Sequence, residues 1–346
     1  MIVIVTLSNI KASILEDVLA KLLENSGYTL ITKATIENKK LYPEFCTRGN
    51  GLNILGRGGI HQADALGQFP ITIPFNYPVR LFLEAKYFKK SKKVGIDVVR
   101  SAVGILADLN TSYQTVQLEG EDLLVQRYTY KFAIFSVSGF SLNAIRLAVA
   151  NQITMIDLSG SEFSTLIQAI DNISVAIEKN LKNIPSVTWS KIRSGLQEKL
   201  FSATSKDMET ESNSLIESEF VESFISFIEG YGDLYLAAVD SPFSILLKPT
   251  NPEQFKHFLM DHPKSTFSVK IKWDQEKKDL WQVRIEEYEK IAFSFYLPSI
   301  LKDYIFKDSN VVKRSINAKN TYLGNMVFYV KNAERFIIFK YAQSNL

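Results

Sequence analysis

One cysteine, Cys46, stands in a chain of 346 residues. A lone thiol excludes an internal disulfide framework and any multi-cysteine zinc site, and it fits a reducing compartment, so a cytoplasmic protein is expected. Histidine is nearly as scarce: His61, His257 and His262 are the full set. His257 and His262 fall in a polar stretch and read as surface residues, which argues against a histidine-ligated metal centre. No apolar run approaches the roughly 20 residues that cross a bilayer, so no membrane span is expected. The opening MIVIVTLSNIK has neither a basic segment nor a small-residue cleavage signal, and it reads as a buried strand or extended arm rather than a signal peptide. No strong charge of one sign is present either: 40 basic and 37 acidic residues leave +3, which neither demands nor excludes nucleic acid.

What is present is an ordinary globular composition, 46% hydrophobic and 22% charged, long enough for two domains or one large one. Residues 12–27 carry Ile14, Leu15, Val18, Leu19, Leu22 and Leu23 at helical spacing, with Ser26-Gly27 as a stop. Strands are predicted at 28–35, 61–68, 79–86, 131–137 and 153–158, and helices at 96–108 and 141–151. That alternation predicts a mixed α/β sheet with crossover helices. Residues 161–200 read as mostly helical. The stretch 201–229, with Glu209, Glu211, Glu217, Glu219 and Glu222, reads as an acidic linker or a solvated helix. Beyond it come short aromatic and β-branched strands at 234–238, 243–247, 267–273, 281–286 and 326–330, with a polar hairpin turn at 274–279. The expected organisation is an α/β domain over 1–200, the acidic segment, and a β-rich (α+β) domain over 230–346 for target recognition or assembly.

Three E-x-K triplets occur, and two of them lie in polar stretches; only Glu84-Ala85-Lys86 ends an apolar strand. Residues i and i+2 of a strand share a face, so Glu84 and Lys86 project together from a strand end. Asp64 lies in a second predicted strand. Two carboxylates from neighbouring strands suit Mg²⁺, or Mn²⁺ as a substitute, and leave positions for water and a phosphate oxygen. A lysine beside them can orient the attacking water and stabilise charge developing on phosphorus. The bland alternative is a turn aspartate and a surface ion pair, and spacing alone does not choose between the two. Gln62, two positions before Asp64, is expected on the same face, in reach of the phosphate or the water; His61 points away unless the strand bulges.

The segments around this triplet resemble the Mrr-type restriction endonuclease family of the PD-(D/E)XK nucleases. Leu15-Glu16, Leu22, Leu23 and Ser26-Gly27-Tyr28 are similar to that family's opening helix, and 99–104 (VRSAVG) to its helix after the lysine strand. Residues 135–141 (FSVSGFS), Ala144, Ala148, Ile153 and Ile156-Asp157 are similar to its closing strand–helix–strand unit. The resemblance covers residues 12–160. It implies a restriction-endonuclease-like mixed sheet flanked by helices, with Asp64, Glu84 and Lys86 as the catalytic set, Asp64 and Glu84 on the metal, and Glu16 as an accessory acid. The segment before Asp64 departs from the pattern, with His61-Gln62 where small or acidic residues are expected.

The expected activity is Mg²⁺-dependent hydrolysis of DNA phosphodiester bonds in restriction or defence, by a homodimer. A repair or junction-resolving nuclease, and a non-catalytic DNA-binding protein on an inactive nuclease fold, are the alternatives. DNA contacts are expected from Arg48 and Arg57 in the glycine-rich loop 48–59, and from Lys89, Lys90, Lys92 and Lys93 after the lysine strand. The glycine loop lacks the Lys-Ser or Lys-Thr of a P-loop, and Ser138-Gly139-Phe140 lacks the pattern of a nucleophile elbow. Trp273, Trp281, Tyr296 and Phe328 alternate with polar residues and read as a β core in preference to a base-binding cage.

Overall fold

The computed structural model describes residues 4–32, 42–46, 51–72, 76–125, 127–181, 183–201, 215–231, 233–240, 243–273, 280–307 and 309–342. The first helix, α1 (Leu7–Asn25), begins earlier than its apolar spacing predicts, because Thr6 caps it: the Thr6 hydroxyl accepts the Asn9 N–H at 3.3 Å. Residues 7–11 are therefore helical rather than an extended arm, and Ile10 extends the buried stripe of Ile14, Leu15, Val18, Leu19 and Leu23. Among the described residues before the helix, Ile4 bridges to Pro185 and the Val5 N–H bonds the Ile184 carbonyl at 2.9 Å, an extended pairing. The helix stops at Gly27, whose φ of +91° suits glycine and whose missing Cβ leaves room for the ring of Tyr329.

Next come β1 (Thr29–Leu30) and the strands β2 (Phe45–Cys46), β3 (Leu52–Leu55) and β4 (Ile60–Ala63), the last three forming an antiparallel sheet of their own. β5 (Ala65–Gln68) and β6 (Val79–Lys86) follow, then α2 (Ile96–Asn110) and a hairpin of β7 (Gln114–Leu118) and β8 (Glu121–Val125). β9 (Thr129–Ser136), α3 (Leu142–Ala150) and β10 (Thr154–Asp157) complete the central sheet, whose order is β1-β5-β6-β9-β10. β6, β9 and β10 run parallel, with α2 and α3 as their crossovers, while β5 is antiparallel to β6.

The pleat of β6 sorts its side chains between two cores. Leu81, Leu83 and Ala85 face α1, α4 (Ser164–Asn180), α5 (Ser186–Phe201) and α6 (Glu219–Gly230). Phe82 faces α2 and α3 and stacks on its register partner Phe132 at 4.7 Å. α6 falls within the stretch read as a linker or solvated helix, yet its Val221, Phe224 and Ile225 are buried in the core that holds α1. Glu209 and Glu211 lie outside the described residues.

The C-terminal part is a closed seven-stranded barrel with order β11-β12-β15-β14-β13-β17-β16. Its strands are β11 (Tyr235–Val239), β12 (Ser244–Pro249), β13 (Thr266–Trp273), β14 (Leu280–Ile285), β15 (Tyr288–Tyr296), β16 (Asn325–Val330) and β17 (Arg335–Tyr341). All pairs are antiparallel except β13 with β17. Trp281 and Phe328 are fully buried in its interior beside Tyr235, Phe293 and Phe339. Three helices add apolar side chains to this core: Phe255 and Phe258 from α7 (Pro252–Asp261), Leu301 and Ile305 from α8 (Ser299–Ile305), and Ala318 from α9 (Val311–Tyr322). His262 is half-buried, its ring stacked on Phe258 at 4.3 Å and edge-on to Tyr288. His257 is exposed. The expected turn at 274–279 lies outside the described residues.

Barrel and α/β part share an interface. The Tyr296 hydroxyl accepts the Glu162 N–H at 2.9 Å, Ser294 donates to the Glu162 carboxylate at 3.2 Å, and Ser26 donates to the Leu234 carbonyl at 3.0 Å. Phe69 packs against Tyr329 and Phe336, and Leu234 and Leu246 enter the α1 core. Among the described residues no helix is long and apolar enough to cross a membrane.

Candidate functional site

Glu84 and Lys86 occupy the C-terminal end of β6, both half-buried, and their side chains form an ion pair. Asp64 is brought to them by a break in the chain. β4 pairs with β3 and β5 pairs with β6, so the backbone changes sheets at Asp64. β5 starts at Ala65, opposite Leu83, and leaves the last residues of β6 without a strand neighbour on that side. The Asp64 carboxylate fills the gap by accepting the Ala85 N–H at 2.7 Å. An acid is thereby fixed between Glu84 and Lys86 by a backbone donor that belongs to neither.

Glu16 reaches the same place from α1. Its carboxylate accepts a hydrogen bond from Arg193 of α5 at 2.8 Å. The same guanidinium grips the buried neighbour Asp17 through Nε at 3.0 Å and Nη2 at 2.8 Å, and Gln197 donates to Asp17 at 2.7 Å. Arg193 and Gln197 are one helical turn apart, so a single face of α5 clamps the acidic pair of α1. Burial raises the Asp17 carboxyl above its usual range against the pull of Arg193. Burial also raises Glu16, with the charges of Asp17 and Glu84 adding to the effect, while Arg193 opposes it.

The Asp64 carboxyl is displaced as well. Burial first, then the negative charges of Glu16 and Glu84, push it up to about 7, against the Ala85 hydrogen bond and Lys86. Three mutually repelling acids held by scaffold contacts form a site with negative charge to spare, and hard oxygen donors of this kind match Mg²⁺ or Mn²⁺. Among the described residues, no three or more acidic, histidine or cysteine side chains converge closely enough to enclose an ion. The donors of Asp64 and Glu84 have the chemistry to take part in holding an ion by one or two carboxylates with its remaining positions open, which is how Mg²⁺ commonly binds next to phosphates.

Gln62 does not join this group, contrary to expectation. The two-residue repeat of a strand does not carry across the bend at Asp64. Gln62 stays exposed on β4, its side chain lying over Gly51. His61 points the other way and bonds Asp108 at 2.7 Å. Asp108 also accepts the N–H groups of Gly58 and Gly59, at 2.8 and 3.1 Å, and these donors together with His61 hold its carboxyl below the usual range. Those two N–H groups are thus engaged, so the loop does not offer them to a phosphate. Gly56 is glycine for a related reason, since a Cβ there would collide with the Asp108 carboxylate. Arg57 is exposed on this turn, and Arg48 lies outside the described residues. Lys89, Lys90, Lys92 and Lys93 are exposed on the turn that follows β6, Lys92 over the ring of Phe88 at 4.7 Å.

Sequence reasoning missed Asp17, Arg193 and Gln197. The one available signal was an arginine set among the apolar positions Trp189, Ile192 and Leu196 of a helix. No protein-family model and no curated protein matches this chain. A solved protein described as a protein of unknown function, AF1548, is similar at 12% identity over 63% of this chain and 99% of its own, with a TM-score of 0.34. A likeness that low carries no argument about fold or activity.

Proposed function

We propose that this chain is a metal-dependent endodeoxyribonuclease of the PD-(D/E)XK type, with Asp64, Glu84 and Lys86 at its centre and Glu16 in support. The observation that carries the proposal is the seat of Asp64 on the Ala85 N–H, which sets its carboxylate beside the Glu84–Lys86 pair at the open end of β6. The order of elements agrees with the resemblance: an opening helix, antiparallel β5 and β6, and then parallel β9 and β10 reached through α2 and α3. On this reading the α/β part has a restriction-endonuclease-like core and the barrel serves target choice or assembly, with a homodimer as the working unit.

Asp64 and Glu84 would hold Mg²⁺, which supplies Lewis-acid polarisation of a phosphate oxygen and of the attacking water. Lys86 leaves Glu84 to place its ammonium on the phosphate, where it offsets the charge that builds as water adds to phosphorus and the bond to the leaving sugar oxygen breaks. Glu16, held by Arg193, acts in support by accepting a proton through water.

Supercoiled plasmid incubated with the full chain tests the proposal. Nicked and linear products are expected with Mg²⁺ or Mn²⁺, and none with chelator or with Ca²⁺, whose looser geometry activates water poorly. Intact plasmid in every metal, from protein that still binds duplex, would favour a binding protein on an inactive nuclease fold.

A further inference from the structure

The barrel wall formed by β17, β13 and β14 turns a row of cations outward. In β13 every second residue points away from the core, exposing Ser268, Lys270 and Lys272. Register brings Arg284 of β14 opposite Lys270, and Lys340 of β17 opposite Ser268. Both are exposed. Near Lys272, Lys319 of α9 lies over rings of the barrel core, those of Trp273, Trp281 and Tyr341, 5.6 to 5.8 Å from each. Burial, and after it the nearby charge of Lys272, hold the Lys319 ammonium below the ordinary lysine range. Among the described residues Glu286 pairs with the row, 3.5 Å from Lys270.

We propose that this wall, with Lys270, Lys272, Arg284 and Lys340, is a docking surface for the phosphate backbone of duplex DNA. From the Ser268–Lys340 level to Lys272 the row rises four residues, about 13 Å at ~3.3 Å per residue. A DNA strand carries one phosphate per about 3.4 Å of axis, so the row spans about four charges of one strand. Among the described residues none of the exposed large apolar side chains belongs to β13, β14 or β17. A membrane surface would find no apolar anchor there, and a single strand would find no exposed ring on which to stack its bases. The backbone of a duplex needs neither. The surface reads no sequence; it positions a duplex against the molecule and makes affinity depend on salt.

The inference builds on the nuclease reading for its ligand, but its test is separate. Binding of a fluorescent duplex to the full chain is measured in chelator, between about 50 and 200 mM salt, where no cleavage takes place. The variant Lys270→Ala/Lys272→Ala/Arg284→Ala changes only exposed side chains outside the acidic cluster. Its salt slope is expected to shrink by about 2 to 3 units, near 0.9 per lost phosphate contact, with affinity at least tenfold weaker. Restoring Lys270 and Lys272 as arginine should recover most of the slope. Wild-type slope and affinity in the triple variant would overturn the proposal, as would absence of duplex binding by the parent or preferential binding to anionic phospholipid vesicles. Plasmid nicking in Mg²⁺ is scored separately. Binding lost in the variant of a protein that never nicks keeps the docking surface and removes the nuclease reading; nicking with unchanged binding does the reverse.

Discussion

Asp64 and Ala85 are 21 positions apart, yet the carboxylate of one accepts the backbone N–H of the other at 2.7 Å. This bond makes an aspartate stand in for the strand residue that β5 no longer supplies. It also separates two roles of Asp64, a scaffold contact and a source of negative charge, which substitutions can test one at a time.

Asp64→Asn keeps an oxygen for the Ala85 N–H and removes the charge. Lys86→Ala removes the ammonium from a half-buried strand end and leaves the core untouched. Each is expected to reduce plasmid cleavage by about 10²-fold or more, with circular dichroism unchanged. Cleavage at the parent rate in either protein removes that residue from the site.

Asp64 gives stability a pH dependence of defined sign. Its carboxyl titrates at about 7 in the folded chain and near 3.9 when unfolded, so between those values the native state holds more protons. Stability contributed by this group is therefore complete below about pH 4, falls as pH rises towards 7, and stays low above it. Thermal unfolding of parent and Asp64→Asn from pH 4.5 to 8 should diverge, the Asn protein gaining on the parent as pH rises. Mg²⁺ at pH 8 should raise the midpoint of the parent and not of the variant. Parallel curves would contradict the raised Asp64 carboxyl and, with it, the burial and the Glu16 and Glu84 charges that raise it.

Arg193→Ala leaves Asp17 buried with Gln197 as its remaining donor from α5 and frees Glu16 from its clamp. Removing one partner of a buried ion pair costs about 3 kcal/mol, to be read from urea unfolding. Arg193→Lys is expected to recover part of this, since a point charge cannot bond both acids in the same fork. A change under about 0.5 kcal/mol, the scale of ordinary surface substitutions, would place Arg193 outside the clamp.

Gly27→Ala tests the junction between α1 and the barrel. The position has φ +91° and a new Cβ would lie 2.1 Å from the Tyr329 ring. Backbone strain and overpacking together predict a loss of about 2 to 4 kcal/mol. Adding Tyr329→Ala should remove the overpacking part and leave the strain, giving a coupling of about 1 kcal/mol or more in a double-mutant cycle. Additive losses would show that the ring does not press on the turn.

Features that depend on a few neighbouring residues were legible in the chain before folding. A two-residue repeat put Glu84 and Lys86 on one face of an apolar strand, a helical repeat marked most of α1, and alternating strands and helices announced the parallel crossovers of β6, β9 and β10. This reach ended where distant segments meet. Gln62 and Asp64 have strand spacing, but the chain passes from one sheet to another between them, and only pairing with β3 and β6 decides that. Arg193 reaches Glu16 across 177 positions, and the parallel pairing of β13 with β17, one of the seams of the barrel, follows a return of the chain over α9 and β16. Periodicity reports how one segment divides itself between core and solvent; which segments share a core is set by packing among all of them, and that placed the third acid and its clamp.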